Sequence, residues 1–227
     1  MTETVYKAEL VGKLKDGREV YGVAAPLDEQ LQAFAEVGAE YITPDDVALI
    51  RNEKLSTRYS RTSMAVVARK AEKTILMRES PLMNPAMAVL AVRTNRAERY
   101  PEISGLYDLA REIAEADSTK EPEDMRAIML SKKGDYRITA QHPETRFTLK
   151  AQTTPYFDNF VKGSSKEGSI PVWDLQTDSK DSVGYLWFNE PEVGSDLYLR
   201  LRGLYSGSWA FGVKEKTADI IPENKKS

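Results

Sequence analysis

The chain contains no cysteine and a single histidine, His142. The missing cysteine excludes disulfides, thiolate metal sites, cysteine nucleophiles and iron–sulfur clusters together. With one histidine, a multi-histidine metal site cannot be assembled within one chain, and a histidine-dependent triad would have to use His142. No stretch approaches the roughly 18 consecutive apolar residues of a membrane span, and the opening residues show no basic segment followed by an apolar one. These absences lead us to expect a cytoplasmic protein that does not enter a membrane.

What is present suits a folded protein. The 227 residues are 41% hydrophobic and 30% charged, with 6 Phe, 3 Trp and 11 Tyr, enough to bury a substantial core without a covalent staple. The formal net charge of −3 conceals a segregation. Residues 1–50 carry a net −6, residues 51–99 a net +7, residues 100–127 a net −5 and residues 128–227 a net +1. A basic segment therefore lies between acidic flanks.

The first residues alternate, with Tyr6, Ala8, Leu10, Gly12 and Leu14 on one side, and Asp16-Gly17 supplies a tight hairpin turn before a second strand through Val20, Tyr21 and Val23. After Pro26, the spacing of Leu27, Leu31, Phe34 and Val37 predicts an amphipathic helix that stops near Gly38. Thr43 followed by Pro44, Asp45 and Asp46 marks the start of a helix over about 44–55, ending in Arg51 and Lys54. Residues 64–79 fit two readings, a hairpin with a charged tip or one amphipathic helix; the run Thr74-Ile-Leu-Met77 after a polar break favours the hairpin. Helices are expected from Asn84-Pro85 towards Arg93, Arg96 and Arg99, and over about 104–117.

From residue 135 the apparent period becomes two, and 13 of the aromatics lie between Tyr136 and Phe211. The segments 135–141 and 145–152 flank His142-Pro143 like hairpin strands, and further strands are expected near 183–189, 197–205 and 208–213. The fold class is α+β. An N-terminal lobe of hairpin plus helices (1–117) precedes a linker or short helix (118–134), an aromatic-rich antiparallel β lobe (135–213) and a charged tail (214–227).

Chemistry-bearing motifs are sparse. Gly163 and Gly168 have the separation of a phosphate-cradling loop, but Ser169 stands where its lysine belongs and Pro171 obstructs the helix that must follow, so a surface loop is expected. Asp178-Ser-Lys180, with Asp158 and Asp174 upstream, matches a fragment of metal-dependent nucleases. That triplet reads as a turn, and a carboxylate-dependent metal nuclease is the third-ranked reading. His142 lacks any accompanying nucleophile motif and reads as a loop residue. No cofactor or metal ligand set is assigned.

The basic segment carries the leading expectation. Arg69, Lys70 and Lys73 would cluster at a hairpin tip, with Arg58, Tyr59 and Arg61 on the approach and Arg93, Arg96 and Arg99 extending the patch. Cations at such a tip can displace counterions from phosphates, and Tyr59 offers a face to an unpaired base. The expected function is a non-enzymatic subunit of a prokaryotic or viral nucleoprotein assembly that contacts DNA or RNA backbone. The alternative is a structural or assembly protein, with the aromatic lobe making homo-oligomeric protein contacts.

Overall fold

Asp16-Gly17 makes the turn its chemistry implies. In the computed structural model, which describes residues 5–94, 104–161, 168–174, 181–188, 197–200 and 208–216, β1 (Glu9–Lys13) pairs antiparallel with β2 (Glu19–Ala25). Gly17 sits at φ 93°, where a side chain would be strained. α1 (Leu27–Val37) ends at Gly38, which adopts φ 70° and donates its N–H to the Ala35 carbonyl at 3.1 Å. After β3 (Glu40–Tyr41), the Thr43 hydroxyl accepts the Asp46 N–H at 3.3 Å and opens α2 (Pro44–Asn52).

β4 (Ser60–Ala68) and β5 (Ile75–Met77) pair antiparallel, so 64–79 is a hairpin. α3 (Pro85–Thr94), α4 (Leu106–Ala116), β6 (Ala127–Met129) and β7 (Tyr136–Ile138) follow. One expectation fails next. The segment read as a strand over 145–152 is helical: α5 (Pro143–Leu149) leads through a short 3-10 turn into α6 (Thr153–Phe160). His142 precedes the first helical residue, Pro143, whose missing N–H costs a first helical turn nothing. β8 (Ile170–Asp174), β9 (Ser182–Phe188), β10 (Leu197–Arg200) and β11 (Ser208–Lys214) complete the described elements.

These strands form one mixed sheet in the order β1-β2-β11-β4-β9-β10-β8-β7, with β3 joined to β11, β5 to β4, and β6 to β5. The β8–β10 and β4–β11 pairs are parallel, and the other pairs are antiparallel. β11, from the end of the chain, lies between β2 and β4, so the sheet joins residues from both sides of 118–134. The architecture is α+β.

Both faces of the central strands are covered. Met64, Val66 and Ala68 of β4 pack with Leu186, Phe188 and Phe211 beneath α2, α5 and α6, which supply Val47, Ile50, Phe147 and Tyr156. Their neighbours Ala65 and Val67 turn to the opposite face, with Val183 and Tyr185, beneath Leu27 of α1, Ala88 and Ala91 of α3, and Tyr107 and Ala110 of α4. Alternation between two buried faces explains why β4 reads as a continuous apolar run compatible with either period.

Candidate functional site

The cations of the basic segment divide between the two ends of β4. Before its first residue, Arg58 and Tyr59 are exposed. The Arg58 guanidinium lies 4.2 Å from the centre of the Trp209 ring, and Tyr59 stacks on Trp187 with ring centres 5.6 Å apart and planes 22° from parallel. Gly22 makes room for Trp209: a Cβ there would fall 2.4 Å from the indole Cζ2. Pairing of β4 with β9 places Arg61 opposite Trp187.

Arg61 is 0% exposed and so does not reach solvent as a phosphate-contacting residue must. Its guanidinium sits 5.2 Å from the Tyr185 ring centre and 5.5 Å from that of Trp187, held by cation–π attraction in a desolvated setting. Gln30 ties the group to α1 and β11. Its side-chain oxygen accepts from Arg61 at 3.4 Å and from the Tyr41 hydroxyl at 2.7 Å, and its amide donates to the Ser208 carbonyl. Burial pushes the Tyr41 hydroxyl well above the usual tyrosine pKa, with the Arg61 charge opposing that shift.

At the far end of β4 the cations meet carboxylates. Arg69 donates bidentately to Asp108 at 2.9 and 2.8 Å, and its Nε donates to Asp181 at 2.7 Å. Asp181 also accepts the Gly105 N–H at 2.9 Å. Hydrogen bonds to Asp108 and Asp181 raise the Arg69 pKa, and the same contact lowers that of Asp108. Arg69 further lies 4.6 Å from the Tyr107 ring centre.

Lys73 donates to the Ser131 carbonyl at 2.8 Å, and Lys133 donates to the Ala71 carbonyl. These two bonds lash the hairpin tip to the turn at 131–134 and bring Lys132 and Lys133 beside it. Lys70 is exposed and makes no ion pair among the described residues. Arg93 is exposed in the last turn of α3, while Arg96 and Arg99 lie outside the described residues.

The other candidates separate. His142 is half-buried at the start of α5, against Glu144 and 6.3 Å from the Tyr136 ring centre. Gly163, Asp178 and Lys180 lie outside the described residues, as does the tail from residue 217. No group of three or more His, Cys, Asp or Glu that could hold a metal occurs among the described residues, and no described helix is long and apolar enough to cross a membrane. The sequence reading missed Trp187 and Trp209 as partners of Arg58, Tyr59 and Arg61, and Lys132-Lys133 as neighbours of the tip; sheet register and turn geometry create both associations.

No family model and no curated protein matches the chain. It is similar in fold to a solved structure described in the words "accommodation of massive sequence variation in Nanoarchaeota by the C-type lectin fold", with a TM-score of 0.54 and 13% identity over 89% of this chain and 99% of that one. At that identity the likeness concerns architecture alone, which is α+β in both.

Proposed function

We propose that this chain is a non-enzymatic assembly protein that associates with a second copy of itself through the aromatic end of β4. The observation that carries the reading is the pair of exposed side chains, Arg58 and Tyr59, each seated on a tryptophan, Trp209 and Trp187. Arginine, tyrosine and tryptophan dominate the energetics of protein interfaces, and side chains already fixed by stacking lose less rotamer freedom when a partner arrives.

Sedimentation velocity across a wide range of protein concentration tests the proposal. The expected result is a concentration-dependent oligomer whose dissociation constant rises at least about tenfold in the Arg58→Glu/Tyr59→Ser variant, equivalent to about 1.4 kcal/mol. A strictly monomeric wild-type protein at every concentration would sink the reading.

A second reading has its own observation. The lashing of the hairpin tip to the 131–134 turn gathers Lys70, Lys73, Lys132 and Lys133, a geometry suited to contacting DNA or RNA backbone. Binding of a labelled oligonucleotide at low salt, lost in the Lys70→Glu/Lys132→Glu variant and unaffected by changes at Arg58 and Tyr59, would favour it over self-association.

A further inference from the structure

The end of α2 carries a cation that neither reading uses. Arg51 is 1% exposed, although its place in the last turn of an amphipathic helix reads as a solvent-facing complement to the helix dipole. Its Nη1 donates to the Tyr156 hydroxyl at 2.8 Å and its Nη2 to the Arg58 carbonyl at 3.2 Å, while Cζ lies 5.4 Å from the Phe188 ring centre. All three partners are neutral. Among the described residues the buried Nε–H has no acceptor, and no carboxylate comes within the 4.0 Å of an ion pair. The nearest carboxylate in sequence, Glu53, is engaged elsewhere, accepting the Lys15 backbone N–H at 2.8 Å.

A buried charge is costly to keep unless something neutralises it. The C-terminal end of α2 offers only about half an elementary charge, spread over several carbonyls. A cavity of about 260 Å³ opens beside Arg51, lined by Arg51, Asn52, Lys54, Thr57, Asn159 and Phe160. Lys54, exposed and held at φ 62° where the chain leaves α2, adds a second cation to its rim. Asn159 donates to Asn52 at 3.0 Å and Asn52 to Gln152 at 3.1 Å, which fixes the polar wall. Phe160 supplies an apolar one.

From this arrangement we infer that the cavity is a binding site for a small molecule bearing an oxyanion head group, carboxylate or phosphate. Held in the cavity, the head group gives the buried Arg51 charge a counter-charge that no described residue provides. Lys54 closes over the anion from the rim, and the body of the ligand rests on Phe160. The volume, about 260 Å³, is that of a compact small-molecule ligand. The cavity adjoins the Arg58–Tyr59 surface through Thr57 and the Arg58 carbonyl, but its lining includes neither Trp187 nor Trp209 and none of the lysines at the hairpin tip.

The test follows the arginine Nε–H resonances in 1H–15N spectra of the full chain, with Arg51 assigned by its loss in Arg51→Lys. Inorganic phosphate and benzoate are titrated separately, against chloride at matched ionic strength. The expected result is a saturable shift of the Arg51 resonance with at least one oxyanion and none with chloride; the phosphate and benzoate arms tell which head group is preferred. Lys54→Glu and Asn159→Asp, both at exposed positions, should each weaken the apparent affinity about tenfold or more while the far-ultraviolet circular dichroism stays unchanged. No saturable shift with either oxyanion overturns the inference. So does an equal response to chloride, or an affinity indifferent to both variants.

Discussion

The two ends of β4 hold cations from the same basic segment in opposite ways. At its start, Arg58 and Arg61 lie over aromatic rings, and Arg61 is sealed from solvent between Tyr185 and Trp187. At its end, roughly 30 Å away for nine residues of strand, Arg69 is clamped by Asp108 and Asp181. One end sets its guanidinium groups against aromatic faces, with the Gln30 amide beside Arg61, and the other clamps Arg69 between two carboxylates. The difference teaches that a net +7 along residues 51–99 is not a +7 surface. Arg61 presents none of that charge to solvent, and Asp108, which belongs to the acidic segment 100–127, is spent on Arg69.

The largest test of this contrast is truncation at each end. Arg61→Ala removes a fully buried side chain and leaves a void among Tyr185, Trp187 and Gln30, so a loss of about 3–5 kcal/mol is expected. Arg69→Ala should cost less, about 1–2 kcal/mol. Arg69 is partly solvated, and Asp181 keeps its bond from the Gly105 N–H when the guanidinium goes. Urea denaturation of the two variants ranks them. An Arg69→Ala variant less stable than Arg61→Ala would break the comparison.

The fold was largely legible because its punctuation is local. Asp16-Gly17, Gly38 and Thr43-Pro44 each act within a turn or two, and each does what its backbone chemistry requires. α5 was misread because Thr145, Phe147 and Leu149 alternate with Arg146 and Thr148 as a strand would. Pro143 at the first helical position was the signal that could have corrected it. The site was legible only in halves. Arg58, Tyr59 and Arg61 stand out by charge and composition, but Trp187 and Trp209 lie more than a hundred residues along the chain, and only strand register seats them together. Burial of Arg61 and Arg51 escaped the sequence for the same reason: what covers an arginine is decided by elements far away in the chain.

A smaller effect comes from pH, and the two ends should answer at opposite limits. Hydrogen bonding to Arg69 holds the Asp108 carboxyl below the ordinary aspartate value, about 3.9. The stability it lends is present above that value and disappears as pH falls through the lower folded one. Asp108→Asn should therefore flatten the acid limb of stability against pH. Tyr41, beside Gln30 and Arg61, is shifted the other way by burial, above the ordinary tyrosine value of about 10. Its contribution is present below that value and is lost as pH rises through the folded one. Tyr41→Phe should flatten the alkaline limb and leave the acid limb unchanged.

The smallest effect on stability belongs to Lys70→Glu. Lys70 is exposed at the hairpin tip with no ion pair among the described residues, so the substitution should change stability by no more than about 0.5 kcal/mol. Its value lies in what else it moves. If the tip contacts phosphate, reversing this charge weakens oligonucleotide binding and reduces its salt dependence by about one counterion's worth. If the tip is only a solvated face, binding is unaffected and the lysines serve the lashing between the hairpin and the 131–134 turn. Arg58→Glu at the opposite end is the matched control. It also reverses one exposed cation, but it removes a guanidinium from the Trp209 ring, so its cost reports packing as well as charge. Equal effects of the two reversals on oligonucleotide binding would mean a diffuse field of charge around the molecule, and the distinction between an aromatic end and an ionic end would then carry no functional weight.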